Sequence, residues 1–390
     1  MRLAAPLCLA LGLLAACAQT REAPEGERQA VFAPSAGTRA TGAALALPKA
    51  DRPLALPLRV AWTASVGQEA EGLFAITAAP TASAWTVYAA DGRGRITALD
   101  MDGGLRWSVE SGGRLPAGGL AFADGYLYIA TGEGELLSLD AATGAVRWRA
   151  ALAARSGAAP LVAGRLVIAA TQADTVEAFA ADTGRPAWKY AGNPAAGALP
   201  RQGAPKLKDS TVFAALPGGS LAGLDAKTGR LKVLELVGDG GSLFDPLGAA
   251  PLFAGDRIYA ATWGGPVAAI SLKTGREPFA ASLGTGDDMA AAGSAVFVST
   301  PGGHLAALDA DSGGTVAWEV KLGASLTAPV LAGDKILVGA DASLLAVEPA
   351  TGQVAQTLAL GAPVAAAPVP LPGGAGILVM LADGRVAMVK

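Results

Sequence analysis

The chain has 390 residues, of which 52% are hydrophobic and 16% are charged, and its formal net charge is −3. This length and apolar content suffice for one large domain with a single hydrophobic core. Because there is no excess of basic residues, the charge argues against nucleic acid as a partner.

The first residues predict an export signal. Arg2 precedes an apolar run, Leu3–Leu13, that is too short to span a bilayer as a helix. Small residues then lead to Cys17, in a pattern that resembles the lipobox of bacterial lipoproteins, whose cysteine becomes the lipidated first residue. An apolar signal peptide with an incidental cysteine is the alternative. We therefore expect a signal peptide over residues 1–16 and a lipid anchor at Cys17.

Cysteine usage limits the covalent options. Cys8 lies inside the predicted signal peptide, so processing leaves Cys17 as the only cysteine and excludes an intramolecular disulfide. Ala18 follows the lipidation site where an Asp would signal inner-membrane retention. By resemblance to lipoprotein sorting, this favours the outer membrane. Residues 17–57 carry the predicted anchor and then a flexible tether, since they are rich in Ala, Pro, Glu and Gly and show no sustained apolar alternation.

A repeated motif organises residues 58–390. Its clearest copy runs from Leu139 to Trp148: a strand ends, Asp140 enters a turn, Gly144 supplies a left-handed backbone conformation, and a new strand carries Trp148. Further copies lie at Asp100–Trp107 (with Gly104 at the turn), Asp182–Trp188, Asp225–Val233, Ser271–Phe279, Asp309–Trp318 and Glu348–Gln356. A period of about 40 residues is the signature of a repeat architecture.

The number of repeats predicts the fold. The tryptophan position recurs at Trp62, Trp107, Trp148, Trp188, Val233, Phe279, Trp318 and Gln356. Trp62 precedes any complete repeat, whereas the final hairpin, Ile377–Lys390, ends without a strand of this kind. An N-terminal strand therefore completes the last blade. The sequence predicts an all-β, eight-bladed β-propeller of four-stranded blades, closed by that strand.

Two connections between repeats are longer than the others, Tyr190–Gly203 and Val237–Gly248. Each joins the outer strand of one blade to the inner strand of the next, which places both on the face that carries the glycine-rich hairpins. Insertions gathered on one face of a repeat protein commonly mark its binding face. Neutral variation in loop length is the alternative.

The Asp-x-x-x-Gly-x-x-x-Trp copies resemble the repeats of pyrroloquinoline-quinone (PQQ)-type propellers over about Arg59–Lys390. With the lipobox, the chain is similar to the BamB-type lipoproteins of the outer-membrane β-barrel assembly machinery. This resemblance implies a non-enzymatic scaffold that faces the periplasm from the outer membrane and binds POTRA repeats of the central barrel protein, alongside the other subunits of that complex.

The same resemblance suggests which residues contact the partner. In that family the contact surface includes a Leu/Arg-bearing loop before an Ala-Pro strand start, and an Asp-rich loop one blade later. The matching positions here are Leu199 and Arg201, with one residue fewer before Ala-Pro, and Asp245, which stands alone where two aspartates are usual. All three lie in or directly beside the long connections identified by counting.

Enzymatic alternatives require chemistry that the sequence does not assemble. A PQQ-dependent dehydrogenase needs oxygen ligands for a divalent cation and a catalytic Asp over the cofactor, and commonly carries adjacent cysteines. This chain has no cysteine pair, and its candidate acids, Asp239, Asp245, Asp287 and Asp288, are divided between two separate loops without an obvious cage. We therefore predict no catalytic residue, no metal site and no cofactor.

Two further residues and one further function have alternative interpretations. His304, the only histidine, lies in a hairpin and is interpreted as a solvated side chain. Trp263 lies at a hairpin tip, where it is either an exposed partner contact or a wedge between blades. A cell-envelope propeller with an unrelated ligand stays open, because propeller repeats record the fold and hardly record the ligand.

Overall fold

The computed structural model describes residues 39–40, 45, 47–67, 78–112, 119–193, 202–237, 247–262, 265–279, 281, 283, 285 and 287–390. This part of the chain consists of β-strands and connections, with one short 3-10 helix at Pro372–Gly374. None of its helical structure is long and apolar enough to cross a membrane.

Two strands precede the first blade, β1 (Arg39–Ala40) and β2 (Val60–Ser65). Blade 1 comprises β3 (Thr81–Ala82), β4 (Thr86–Ala90), β5 (Arg95–Asp100) and β6 (Leu105–Glu110). Blade 2 comprises β7 (Leu120–Ala123), β8 (Tyr126–Ala130), β9 (Glu135–Asp140) and β10 (Val146–Ala151). Blade 3 comprises β11 (Leu161–Ala163), β12 (Leu166–Ala170), β13 (Thr175–Ala180) and β14 (Pro186–Ala191). Blade 4 comprises β15 (Lys206–Lys208), β16 (Thr211–Ala215), β17 (Ser220–Asp225) and β18 (Leu231–Leu236).

The remaining blades follow the same plan. Blade 5 comprises β19 (Leu252–Ala254), β20 (Arg257–Ala261), β21 (Val267–Ser271) and β22 (Gly275–Glu277). Blade 6 comprises β23 (Ala290–Ala292), β24 (Ala295–Ser299), β25 (His304–Asp309) and β26 (Thr315–Lys321). Blade 7 comprises β27 (Val330–Ala332), β28 (Lys335–Ala340), β29 (Ser343–Val347) and β30 (Val354–Ala359). Blade 8 comprises β31 (Val369–Pro370), β32 (Ile377–Met380), β33 (Arg385–Val389) and the earlier strand β2.

The described strands form eight antiparallel sheets arranged as a ring, which confirms the predicted eight-bladed propeller. The first strands of neighbouring blades contact one another, as β3 does with β7 and β19 with β23, so they line the centre. The fourth strand of each blade is therefore the outer edge. Blade 6 departs from the plan because β1 pairs with β26 and adds a fifth strand.

The ring closes between the two ends of the propeller. In blade 8 the outer strand is β2, which pairs with β33 and sets Trp62 opposite Met388. Arg59 and Lys390 then exchange two backbone hydrogen bonds of 2.7 and 2.9 Å. The predicted closure by an N-terminal strand is confirmed, and it leaves no open sheet edge between the first and last blades.

The Asp-containing turns have the local structure that their sequence predicts. The Asp140 carboxylate accepts hydrogen bonds from the Thr143 backbone nitrogen and hydroxyl at 2.9 and 2.8 Å, and Gly144 has a φ of +75°. In blade 1, however, the left-handed residue is Gly103 (φ +88°) and not the expected Gly104. That turn is one residue shorter, so its glycine comes one position earlier.

Each repeat tryptophan joins its blade to the next one. The indole nitrogens donate to backbone carbonyl oxygens in the turn of the following blade: Trp62 to Met101 (2.8 Å), Trp107 to Ala141 (3.1 Å), Trp148 to Ala181 (3.0 Å), Trp188 to Ala226 (3.1 Å) and Trp318 to Pro349 (2.9 Å). The ring also requires a glycine opposite it, since a Cβ at Gly184 would lie 2.6 Å from Trp148. The Asp–Gly turn and the tryptophan of the repeat are thus two halves of one contact between blades.

Gln356 takes the tryptophan position where blade 7 meets blade 8. No continuous turn exists there, because the third and fourth strands of blade 8 come from opposite ends of the propeller. Gln356 instead exchanges two hydrogen bonds with the backbone of Leu58, accepting from its nitrogen at 2.7 Å and donating to its oxygen at 2.8 Å. An amide side chain can pair with both groups of an incoming backbone, which an indole cannot do.

Residues ahead of β2 contact the ring. Leu45 and Leu47 pack against the core cluster between blades 6 and 7, and Leu54 packs against the cluster between blades 7 and 8. The Leu54 nitrogen donates to the Asp334 carboxylate at 2.9 Å, and the Arg52 guanidinium donates to the Gly373 carbonyl oxygen. These contacts fall within the segment that the sequence assigns to the tether.

Candidate partner-binding face

The predicted contact residues Leu199, Arg201 and Asp245 lie outside the described residues, as do Trp263 and the predicted lipidation site Cys17. The structure does describe both ends of each long connection. These ends fix where the two loops leave the ring and where they return to it.

The first loop is anchored at both ends to one hairpin of blade 3. At its start, the Gly192 nitrogen donates to the Asp174 carbonyl oxygen at 2.8 Å. At its end, the buried Gln202 donates from Nε2 to the Thr171 carbonyl oxygen at 3.3 Å. Thr171 and Asp174 flank the hairpin between β12 and β13. The described ends of the loop that contains Leu199 and Arg201 therefore both lie beside that hairpin.

Asp174 is unusual for its position. It has a φ of +57°, whereas the equivalent hairpin residues Gly94, Gly134 and Gly219 are glycines with positive φ. Aspartate tolerates this conformation better than most residues. Its side chain is fully buried, and one carboxylate oxygen accepts from the Gly218 nitrogen of blade 4 at 2.8 Å. This bond joins blade 3 to blade 4 beneath the first loop.

The electrostatic state of Asp174 follows from its burial. The second carboxylate oxygen has no hydrogen-bond partner among the described residues. Burial raises the pKa of the Asp174 carboxyl, and the hydrogen bond from Gly218 opposes this effect only in part. A charged carboxylate is thus disfavoured at the base of the loop.

The second loop leaves and returns on the same face. The Val237 nitrogen donates to the Gly219 carbonyl oxygen at 3.0 Å, which places the start of the loop beside the blade 4 hairpin. At the return end, Leu247 forms a single bridge with Thr262, and the Ala250 nitrogen donates to the Asp288 carboxylate at 2.6 Å. The described ends of both loops therefore lie on the hairpin face, as the topology predicted.

The return ends of the two loops touch. Gly203 lies so close to Ala249 and Ala250 that a Cβ at this position would clash with the backbone of both. A glycine is required there because the two chains pass in direct backbone contact. The described ends thus bring the two connections together above blades 3, 4 and 5, and the residues predicted to bind a partner belong to adjacent loops.

Sequence reasoning overlooked Asp174 and Gln202. The signal for Asp174 was an aspartate at a hairpin position that most repeats fill with glycine. The signal for Gln202 was weaker. It is a polar residue directly after Arg201, and its burial is visible only in the structure. Both act as supports for the loop, since their polar groups bond to the ring.

The residues considered for other chemistry lie apart. Within the described ranges, no three His, Cys, Asp or Glu side chains are grouped so as to hold a metal ion. Asp288 is engaged by Ala250, while Asp239 and Asp245 lie outside those ranges. The interpretation of His304 as a solvated side chain is wrong, because its side chain is only 17% exposed and its Nδ1 lies 3.5 Å from a Glu319 carboxylate oxygen. The absence of a quinone cofactor stays a prediction.

A closed ring of eight four-stranded blades, joined by Asp–Gly turns and tryptophans, defines a PQQ-like β-propeller. Residues 92–286 and 264–390 match the family model described as outer membrane protein assembly factor BamB. These matches cover more than half of the chain, and the chain belongs to this family.

Individual relatives agree with this assignment. The chain is 28% identical over 345 residues to the outer membrane protein assembly factor BamB of Bordetella pertussis, covering 86% of this chain and 87% of that one. The crystal structure of BamB from Moraxella catarrhalis has a TM-score of 0.73 at 24% identity, with 86% of this chain and 98% of that chain covered. At this identity the structural likeness shows the fold.

An enzyme shares the same fold. Quinohemoprotein alcohol dehydrogenase from Comamonas testosteroni has a TM-score of 0.70 at 16% identity, covering 85% of this chain and 76% of that chain. This architecture therefore occurs in enzymes as well as in assembly factors, and the fold alone does not separate the two functions.

Proposed function

We propose that this protein is a lipid-anchored, non-enzymatic scaffold of the outer-membrane β-barrel assembly machinery. In this proposal the two long loops bind POTRA repeats of the central barrel protein on the periplasmic side of the outer membrane. Membership of the BamB family supports the assembly role. The observation that carries the loop assignment is the contact of Gly203 with Ala249 and Ala250, which brings the described return ends of the two loops together.

The proposed contacts have a clear physical basis. Arg201 supplies a planar guanidinium that can pair with two carboxylate or carbonyl oxygens at once. Leu199 supplies apolar area beside it, and Asp245 on the second loop supplies a complementary charge. Small clusters of this kind carry most of the free energy of protein association. The contacts of Asp174 and Gln202 fix the described ends of the first loop, and fixed ends lower the entropy that binding costs.

A double substitution tests this surface. Truncating Leu199 and Arg201 together to Ala is expected to cost about 2–4 kcal/mol of association with the POTRA segment, because it removes both the polar and the apolar anchor. Asp245→Asn should cost less, since the side chain stays and only the charge is lost. Titration calorimetry with the purified propeller measures both effects.

The matched control is Leu105→Ala with Arg106→Ala, the same pair of residue types on β6 of blade 1, where Leu105 is 68% exposed. This control should bind the POTRA segment like the wild type. Unchanged affinity in the Leu199/Arg201 variant would remove the first loop from the interface. A large fall in its melting temperature would instead identify the two residues as structural.

The lipid anchor requires its own test. Cys17→Ser is expected to leave a folded propeller that is unprocessed or released from the outer membrane, because the ring closes without this residue. Membrane fractionation and mass spectrometry of the N-terminal peptide measure the outcome. A Ser variant that still carries acyl chains would refute the lipobox interpretation.

A further inference from the structure

A cavity of about 430 Å³ lies between blades 5 and 6. It is lined by the turn between β19 and β20, by the turn between β23 and β24, and by the Asp–Gly turn of blade 6. In a blade of four antiparallel strands, turns of these two kinds lie at one end and the hairpin between the second and third strands lies at the other. The cavity therefore opens on the face of the ring opposite to the two long loops. Its volume is within the range of roughly 300–1,000 Å³ that is usual for small-molecule sites.

The boundary between blades 5 and 6 lacks a hydrogen-bond donor that five other boundaries have. In those five, a tryptophan indole donates to a carbonyl oxygen in the turn of the next blade, for example that of Ala141 or Ala181. The equivalent residue of blade 6 is Ala310, which lines the cavity. Phe279 takes the tryptophan position and packs on Gly314, but its ring has no donor. Among the described residues, no group donates to the Ala310 carbonyl oxygen.

The outer strand of blade 5 also departs from the repeat. Strand β22 has three residues, whereas the outer strands of the other blades have six or seven. Glu277, the last residue of β22, lies opposite Ala269, which belongs to the core cluster shared by blades 5 and 6. Directly opposed residues share a face of the sheet, so Glu277 faces blade 6. A missing indole and a shortened strand thus coincide at the boundary that contains the cavity.

The charged side chains that line the cavity are three acids and one base: Asp256, Glu277, Asp311 and Arg257. The Arg257 guanidinium lies 2.6 Å from the Glu277 carboxylate and 3.5 Å from the Asp311 carboxylate. Asp256 is matched by Lys273 at 2.5 Å, and Lys208 is the next cation near it. One guanidinium therefore faces two carboxylates inside the cavity, which leaves an excess of one negative charge beside an unbonded carbonyl oxygen.

These features restrict the chemistry of a ligand. Within the described ranges, no three acidic, histidine or cysteine side chains are grouped so as to hold a metal ion. An anion is disfavoured because two carboxylates already engage Arg257. A neutral donor could bond to the Ala310 oxygen but would leave the excess charge unmatched. A primary ammonium group supplies both N–H donors and a positive charge, and hydrogen bonds between charged partners are the stronger ones.

We propose that the cavity between blades 5 and 6 binds a small organic molecule that carries a primary ammonium group. The ammonium donates to the Ala310 carbonyl oxygen and to the carboxylates of Glu277 and Asp311, so it takes the place of the indole N–H of other boundaries. The rest of the molecule occupies the cavity beside Tyr259, which forms part of its wall. This site lies on the face opposite to the two loops, and the inference does not depend on the scaffold function proposed above.

Two probes that differ in their ammonium groups test the proposal on the complete propeller. They are putrescine and the diol with the same carbon chain, each followed by titration calorimetry at low ionic strength, where charge pairing is least screened. Putrescine should bind at least about tenfold more tightly than the diol, because only the diamine matches the excess negative charge.

A matched pair of variants locates the site. Asp311→Asn should weaken putrescine binding about fivefold or more, since it removes the excess charge and keeps the shape of the side chain. The control is Asp182→Asn, at the equivalent turn position of blade 3. Asp182 is 63% exposed and lies 4.0 Å from Arg165, much as Asp311 is 71% exposed and near an arginine. Its boundary is closed by Trp148, so this control should bind putrescine like the wild type.

A third variant fills the site. Phe279→Trp restores the residue type of the repeat, and its indole should donate to the Ala310 carbonyl oxygen. The expected results are a higher melting temperature, because a buried carbonyl gains a partner, and loss of putrescine binding. Because this variant is expected to be more stable than the wild type, unfolding would not account for the lost binding.

Several outcomes would overturn the proposal. Equal binding of putrescine and the diol would remove the ammonium group from the account. Equal losses in Asp311→Asn and Asp182→Asn would reduce the effect to general surface charge, and full binding by Phe279→Trp would exclude the cavity. Displacement of putrescine by stoichiometric calcium would identify a metal site instead. The Leu199→Ala, Arg201→Ala variant should bind putrescine normally, so failure of the loop proposal is distinguishable from failure of this one.

Discussion

We call the boundary between two neighbouring blades a seam. The two seams that flank blade 5 differ from the others. Five seams are joined by an indole that donates to the next blade and packs on its turn glycine. The seams before and after blade 5 have Val233 and Phe279 at that position, and neither side chain has a donor. Apolar packing continues across both boundaries, with Phe213 against Phe253 before blade 5 and Phe279 against the turn glycine Gly314 after it, but the polar contacts come from other side chains. Lys208 donates to the Gly255 carbonyl oxygen at 2.9 Å, and Arg257 lies 3.5 Å from Asp311.

This difference distinguishes the indole contacts, which maintain the ring, from contacts between blades that can vary in residue type. The indole contact combines burial, a hydrogen bond and an opposed glycine, so it tolerates little substitution. A lysine or arginine that reaches across a seam does not require an opposed glycine or a fixed burial site, so it tolerates more substitutions in its neighbours. Blade 5 also follows the second long loop, whose return end touches the first at Gly203. The repeat is therefore relaxed at blade 5, which the second long loop enters, although the relaxed contacts with the Asp–Gly turns lie on the face opposite to the hairpins.

The largest predicted effect tests the difference between the two kinds of seam. Trp318 is 2% exposed and donates to Pro349, so Trp318→Ala should lower the free energy of unfolding by about 3–5 kcal/mol. Val233→Ala, at the equivalent position before blade 5, should cost about 1 kcal/mol because it removes two half-buried methyl groups. Urea denaturation measures both values. Equal losses would mean that the indole contacts are not the main links between blades.

A smaller effect is expected where the ring closes. Gln356→Ala removes both hydrogen bonds to Leu58 and should cost about 2 kcal/mol, since two backbone groups lose their partner. Exchange of the amides of Arg59 and Lys390 should become faster, because they form the adjacent closing bonds. The control is Thr357→Ala, at the next and exposed residue of β30. Unchanged exchange at the closing bonds would show that Gln356 does not hold the ring shut.

The smallest effect concerns pH. Burial raises the native pKa of Asp174 above its ordinary value of 3.8, so the native state holds this proton more tightly than the unfolded state. The associated stability is complete below that ordinary value and is lost as pH rises through the native pKa. Asp174→Asn keeps a residue that tolerates positive φ and cannot ionise.

The melting temperature of the Asp174→Asn variant minus that of the wild type should therefore be more positive at pH 8 than at pH 4. Asp209→Asn is the control, since Asp209 also has a positive φ, of +54°, but is exposed. A gain for Asp174→Asn that is the same at both pH values would contradict burial as the cause.

The fold could be predicted almost entirely from the sequence, because the same pattern of strands and turns recurs in blade after blade. The structural roles of Asp140, Gly144 and Trp148 follow from their residue types and spacing. Trp62 precedes the first complete repeat and the final hairpin lacks its fourth strand, so closure by an N-terminal strand could be predicted. The exact turn glycine of blade 1 was missed, because Gly103 and Gly104 are adjacent and counting from Asp100 selects the second, whereas counting back from Trp107 selects the first. Gln356 looked like a degenerate tryptophan position and is in fact the bond that closes the ring.

Less of the candidate site could be predicted from the sequence. Counting residues located the two loops, but only the coordinates show that Gly203 touches Ala249 and Ala250, since that contact joins residues from different repeats. Asp174 also escaped notice. Its role depends on which part of blade 4 its hairpin meets, and the repeat pattern does not specify this.

We propose that this propeller acts by binding the barrel-assembly protein through its two long loops. The most direct measurement is co-purification of tagged full-length chain from solubilised outer membranes, with quantitative mass spectrometry of what accompanies it. We predict that the wild type and the Leu105→Ala, Arg106→Ala control retain the POTRA-bearing barrel protein in similar amounts. The Leu199→Ala, Arg201→Ala variant, folded and present at the same level, should retain much less. Equal recovery of the barrel protein with all three chains, or its absence from the wild type, would contradict the account.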